Sequence, residues 1–167
     1  DAAEGNMEKA VIILREKGLA NAAKKSGRTA SEGVVATVVD DNVGFVVEIN
    51  CETDFVARND KFQTLAHDLA LHIAAMDPLA IKPEDIDATL LLAEQKLAEE
   101  QAAESGKPAN IQTKMVAGKL NKFKSERALL KQPFVKDPTK TIEDLINATI
   151  QEVGENITVG EFSRLVI

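Results

Sequence analysis

The densest group of reactive side-chain types in the chain is Cys51, Glu52 and Asp54, one thiol and two carboxylates within four residues. The combination argues against nucleophilic chemistry, because neighbouring carboxylates raise a thiol pKa and leave less of the reactive thiolate. Cys51 reads instead as a half-buried residue at the end of a strand. The two histidines, His67 and His72, lie five apart in a stretch that reads as helix, and so on different faces. Nothing supplies a further ligand at metal spacing, and the pair makes no credible triad. Ser26, Ser31, Ser105, Ser125 and Ser163 lack the context of a nucleophile elbow. The nine glycines are scattered, without the pattern of a phosphate loop. Carboxylates are plentiful, but no spacing selects a pair for acid–base work, and Glu99, Glu100 and Glu104 read as a solvated face. The residue that stands out is not a reactive one. Phe55 sits beside Asp54, a short remove from Arg58, in a connector of the kind that normally faces water. An aromatic there plugs either its own core or a gap in another protein.

The elements that position this connector can be read on either side of it. Before it, Gly33 to Val39 is rich in valine, and Val43, Phe45, Val47 and Ile49 alternate on one face. Asp40, Asp41 and Asn42 between them tolerate tight-turn dihedrals, so the two runs form a β-hairpin. After it, Asn59 caps a helix whose apolar residues Phe62, Leu65, Ala66, Leu69, Ile73 and Met76 make one stripe, closed by Asp77 and Pro78.

Further out, Asn6 caps an opening helix with Met7, Ala10, Val11 and Leu14 in helical register; Gly18 is placed to end it, and residues 19–25 read as a second short helix. A turn of helix at Pro83 precedes a longer helix from Asp87 or Thr89 to Glu104. A partner helix runs from Pro108 to about Leu130, and the short connection through Gly106 makes the two an antiparallel hairpin. Residues 132–138 break the helical pattern and read as a short strand or extended crossing. Thr141 caps a last helix that Gly154 stops. Residues 157–167 read as a third strand pairing with the hairpin, with Gly160 suited to a bulge. The expected fold is α+β: a three-stranded antiparallel sheet covered by helices, with a helical hairpin and an N-terminal helix.

The chain has 167 residues, enough for one well-cored domain with a small appendage. Its net charge of −7 argues against a primary role in nucleic-acid binding, which needs clustered Lys and Arg. A single cysteine excludes an internal disulfide and fits a reducing compartment. No run approaches a membrane span, and no secretory signal pattern opens the chain.

Several stretches resemble the elongation factor Ts family: Leu19 to Lys25, Glu48 to Asn59, Gly106-Lys107-Pro108, Lys119 to Phe123, Gln132 to Asp137, and Gly154-Glu155-Asn156-Ile157. They keep the family's order across essentially the whole chain, and Asn50-Cys51-Glu52-Thr53-Asp54-Phe55-Val56-Ala57-Arg58 is the most specific of them. The resemblance implies guanine-nucleotide exchange on elongation factor Tu in translation elongation, with no catalytic chemistry, cofactor or metal of the chain's own. It implies that Thr53, Asp54, Phe55 and Val56 meet the GTPase, with Asp54 and Phe55 reaching toward its magnesium and nucleotide site. Residues 1–28 correspond to the last helix of an N-terminal ubiquitin-associated-like module plus linker, and residues 29–167 to the family's core domain.

The chain further resembles short members of the family, which pair as homodimers and give a two-to-two complex. Ser163 stands where one short form carries a linking cysteine, so the expected dimer is non-covalent, with Phe162, Leu165, Val166 and Ile167 as its candidate surface. The implied setting is bacterial cytoplasm or an organellar matrix or stroma, with no membrane and no direct nucleic-acid contact. The alternative is a structural or ribosome-associated protein that keeps the fold without exchange, against which the intact Thr53 to Val56 speaks.

Overall fold

A valine-rich run and an alternating run joined by two residues are placed to pair with each other, and they do so along their full length. The computed structural model describes residues 6–166, apart from the side chains at positions 8, 10, 11, 14 and 15. β1 (Glu32–Asp40) and β2 (Val43–Cys51) form an antiparallel hairpin from Glu32↔Cys51 to Asp40↔Val43. Asp41 turns the chain at φ 49°, a left-handed conformation that aspartate tolerates better than most residues. β5 (Ile157–Val166) pairs antiparallel with the other side of β2, so the sheet order is β1-β2-β5. The expected bulge is present: between Val47↔Phe162 and Ile49↔Val159, one residue of β2 faces Gly160 and Glu161 of β5.

The described chain divides into two compact units. One runs up to Ala75 and resumes at Glu143; the other is Met76–Ile142. In the first, Phe45, Val47, Ile49 and Cys51 are buried along one face of β2, while the alternate Glu48 is exposed. The helices of this unit bury Ala22, Phe62, Leu65, Leu69, Ile146 and Ile150. These come from α1 (Met7–Lys25), α3 (Asp60–Met76) and α6 (Ile142–Val153). The stripe expected on α3 is buried from Phe62 to Ile73, whereas Met76 at its end is exposed.

The N-terminal region differs from its sequence reading. One continuous helix replaces the two expected, because Gly18 does not stop it. The side-chain amide of Gln151 lies so close over Gly18 that a Cβ there would overlap it. That amide is the far end of a flexible side chain and can move aside, so glycine here neither stops the helix nor is demanded by the packing. Asn6 caps the helix as expected, accepting from the backbone N–H of Lys9 at 3.0 Å. Of the apolar stripe assigned to this helix, Met7 is exposed, and the side chains of Ala10, Val11 and Leu14 lie outside those described. At the other end of the unit, Gly154 stops α6 at φ 82°, its N–H bonded to the Ile150 carbonyl at 3.0 Å.

The second unit contains α4 (Ala88–Glu104) and α5 (Ala109–Arg127). They are antiparallel: Ser105 lies against Met115, and Gln101, one turn back, meets Lys119, one turn on. Ala98 and Ala102 are buried on α4, small side chains that let another segment pack closely. At the open end of the hairpin, Ala80, Ile86 and Ala128 form a small core with Leu91 and Phe123 against it. The segment read as a single strand or crossing forms its own two-stranded ladder, β3 (Pro133–Phe134) with β4 (Asp137–Thr141). The architecture is α+β, with the three-stranded antiparallel sheet, helical hairpin and N-terminal helix that the sequence predicts.

Candidate functional site

The connector after β2 is itself a helix. α2 (Asp54–Ala57) is a single turn inside the stretch that the sequence presents only as a connector. A turn this short has no stability of its own, since nucleation costs more than one turn of hydrogen bonds returns. It forms because its ends are held. Thr53 is the N-cap, with its hydroxyl oxygen accepting from the Val56 N–H at 3.4 Å. The Ala57 N–H reaches the Thr53 carbonyl at 3.1 Å, and the Arg58 N–H reaches that of Asp54 at 3.2 Å. Beyond the helix, the Gln63 side chain donates to the Ala57 carbonyl at 2.6 Å, tying α2 to α3. Asn59 caps α3 through the Lys61 N–H at 2.9 Å.

A second set of contacts arrives from the turn between α6 and β5. Glu155 places both carboxylate oxygens on the approach to α2. One accepts from the backbone N–H groups of Glu52 and Thr53, at 3.1 and 3.0 Å; the other accepts from the Thr53 hydroxyl at 2.7 Å. Glu52 returns the arrangement, accepting from the Asn156 N–H at 2.7 Å while facing Arg28 at 3.5 Å. The Asn156 side chain, nearly buried, donates to the Arg28 carbonyl at 2.9 Å. Two turns about a hundred residues apart thus hold each other through exchanged carboxylates. Glu155, Asn156 and Arg28 carry no role that the sequence alone assigns. The signal for Glu155 and Asn156 is that Gly154-Glu155-Asn156-Ile157 is among the stretches carrying the family resemblance.

On this frame the four predicted residues divide. Thr53 and Val56 make the cap, and the Val56 side chain is half-buried. Asp54 pairs with Arg58 at 3.1 Å, both well exposed. An exposed pair four residues apart contributes only about 0.3–0.5 kcal/mol, so either partner can exchange it for another charge at little cost. Phe55 is 83% exposed. Of the six phenylalanines, Phe45, Phe62 and Phe134 are buried, and Phe123 and Phe162 are half-buried. Phe55 alone stands in water.

Cys51 is fully buried rather than half-buried, because it is the last inward-facing residue of β2. Burial, then the Glu155 carboxylate, pushes its thiol above the ordinary range. The sulfur lies 3.2 Å from the Thr53 carbonyl, its natural acceptor. Such a thiol is a structural group and a poor nucleophile. His72 is fully buried and His67 exposed, on different faces as their spacing predicts. Among the described residues no group of three or more His, Cys, Asp or Glu is placed to hold a metal ion. No described helix is long and apolar enough to cross a membrane.

The site contains a presented aromatic and a loosely held carboxylate on a fixed frame, an arrangement suited to docking. Comparison with known proteins agrees with the resemblance read from the motifs. A family model described as Elongation factor TS matches residues 63–167. The chain is 48% identical over 165 residues to "Elongation factor Ts" of Geobacter sulfurreducens, covering 98% of this chain and 76% of that protein. It is 49% identical to the protein of the same name from Maridesulfovibrio salexigens, covering 97% of this chain and 80% of the other. The match to that of Alkaliphilus oremlandii is 49% over 163 residues. These pairings take in the 53–56 turn, which lies before the stretch the family model matches. With the relatives' identity running across both units and the site, the chain belongs to the elongation factor Ts family.

Proposed function

We propose that this protein is a guanine-nucleotide exchange factor for elongation factor Tu and acts by inserting the Asp54–Phe55 turn into the GTPase. The observation that carries the reading is Phe55, 83% exposed on a helical turn held by hydrogen bonds at its cap and at both flanks. Burying a phenylalanine contributes about 1.5–3 kcal/mol. This chain leaves that contribution unclaimed, so it is available to a partner that opens a gap. A partner conformation with the gap open is then favoured over the closed, GDP-bound one. Exchange of this kind shifts a population and needs no bond-making by this chain. Asp54, paired among the described residues with the exposed Arg58, can turn its charge toward the partner's magnesium site.

The coupling runs both ways: whatever factor weakens GDP binding equally weakens this protein's hold on the GDP-loaded partner. A thousandfold weakening requires about 4 kcal/mol, more than Phe55 alone supplies. Other contacts must keep the partner open, and Thr53 and Val56 keep the turn in shape for them. The setting is translation elongation, in the cytoplasm or an organellar matrix.

The protein's proposed form is a non-covalent homodimer, giving a two-to-two complex. β5 is an edge strand with Leu165 and Val166 exposed and Phe162 half-buried, and an unpaired apolar edge favours association. Ile167, assigned to the same surface, lies outside the described residues. Light scattering on the eluted peak reads twice the chain mass if the dimer forms. A monomer at high concentration rejects it.

The exchange reading is tested by release of a fluorescent GDP analogue from elongation factor Tu. The expected result is acceleration that rises with added protein and saturates. Release at the spontaneous rate at every concentration overturns the reading and favours a structural use of the fold.

A further inference from the structure

We propose that Glu155 is the positioning residue of the Phe55 turn: its carboxylate fixes the angle at which α2 presents the aromatic ring. This rests on the reading of Phe55 as the partner-facing residue, and it assigns a role to a side chain far from that residue in sequence. Three donors converge on the carboxylate at 2.7–3.1 Å, all from Glu52 and Thr53, the two residues that lead into α2. Thr53 is at once the cap of the helix and the target of two of those bonds. The hydroxyl that accepts from Val56 therefore has its own proton directed to Glu155, which fixes its lone pairs toward the helix.

α2 has four residues and cannot hold a direction alone. Its start is set by whatever holds residues 52–53, and Phe55 follows two residues later. Glu155 is itself held between Gly154, which ends α6, and Asn156, whose N–H is bonded to Glu52. The ring is thereby referenced to α6 and β5, beyond its own strand β2. A neutral acceptor satisfies part of this geometry. A glutamine oxygen takes the two backbone N–H groups, but its amide cannot accept the Thr53 hydroxyl proton.

The test uses the full chain with Glu155→Ala, Glu155→Gln, Phe55→Ala and the Glu155→Ala/Phe55→Ala double variant. Two readouts are taken: amide hydrogen exchange of the free protein, and release of labelled GDP from elongation factor Tu at saturating concentration. With Glu155→Ala, amides of residues 53–59 exchange faster while those of 43–49 keep their protection, which also shows that the fold is intact. GDP release falls by about tenfold or more, tenfold being the factor for a single charge-assisted hydrogen bond where the substitution removes three. Glu155→Gln recovers part of it, through the two backbone N–H groups that its oxygen still accepts. In the Phe55→Ala background the Glu155→Ala change adds little further loss, since a positioning residue has nothing left to position.

Unchanged amide exchange over 53–59 in Glu155→Ala overturns the proposal. So does a loss that multiplies in full with that of Phe55→Ala. A Phe55→Ala protein with undiminished activity refutes the insertion of the Phe55 turn instead, and the amide exchange then decides the role of Glu155 by itself.

Discussion

The α4–α5 hairpin and the 52–59 turn both hold apolar side chains out in water, and they do so differently. α4 and α5 expose Leu90, Leu92, Leu97 and Ile111 among charged and amide neighbours, spread along two helices. The 52–59 turn exposes one ring on a single helical turn that polar contacts hold at both ends. Scattered surface leucines are ordinary, because no fold has enough polar surface to cover itself. What distinguishes Phe55 is the hydrogen-bonded frame around it, from which Thr53, Glu155, Glu52, Asn156 and Gln63 all contribute. Exposure on its own carries little information. Exposure on a frame that specifies an orientation points to a partner.

Phe62 gives the sharpest internal control, seven residues from Phe55 and fully buried in the same unit. Phe62→Ala should cost about 3–5 kcal/mol of stability, read as a lower urea midpoint. Phe55→Ala should shift that midpoint by no more than about 0.5 kcal/mol. Equal losses would mean that Phe55 packs against its own chain in solution, and the contrast would disappear.

A smaller effect is expected at the start of α4. Asp87 caps that helix, accepting from Thr89 and Leu90, and its carboxyl lies below the ordinary value of 3.8, chiefly through the Thr89 hydroxyl bond. A depressed folded pKa means the stabilisation is present above about pH 3.8 and is lost as pH falls through the lower, folded value. Helicity followed by circular dichroism should decline over that window. Asp87→Asn, an equally good cap without a titrating proton, should remove the part of that decline that comes from this residue. An unchanged acid profile in Asp87→Asn would show that the cap is not what titrates.

The smallest effect is expected on the hairpin surface. Leu92→Ser should leave both stability and GDP release within about 0.5 kcal/mol of the parent. A clear loss of exchange there would make the hairpin a second docking surface and would erase the distinction drawn between the two regions.

The local parts of this picture were legible in the sequence. Alternation marks β2, the Asn6 and Asn59 caps mark two helix starts, Asp87 or Thr89 a third that the structure settles at Asp87, and Gly154 marks a stop. The errors lie where the local signal misleads or runs out. Gly18 reads as a helix end, yet α1 runs through it to Lys25. Residues 54–57 are too few to show a helical period, and their helix depends on Glu155, 102 residues beyond Thr53. β3 is two residues long, too short for strand periodicity to register. Cys51 was underburied in the reading because its setting depends on a sheet face that a linear pattern only half reveals. Phe55 stands out from its place in the connector, but a partner-facing role for it, and for Thr53, Asp54 and Val56, comes through family resemblance alone. Composition and spacing left Phe55 as a plug with two possible sockets.

The most direct test of the central claim is stopped-flow release of labelled GDP from elongation factor Tu, comparing the parent chain with Phe55→Ala at concentrations that saturate both. The account predicts that the saturating rate falls by about tenfold or more with Phe55→Ala, the factor equivalent to the burial of one aromatic ring, while the urea midpoint stays put. A parent chain that accelerates release and a Phe55→Ala variant that matches it would contradict the claim, and would place the opening of the GTPase elsewhere on this surface.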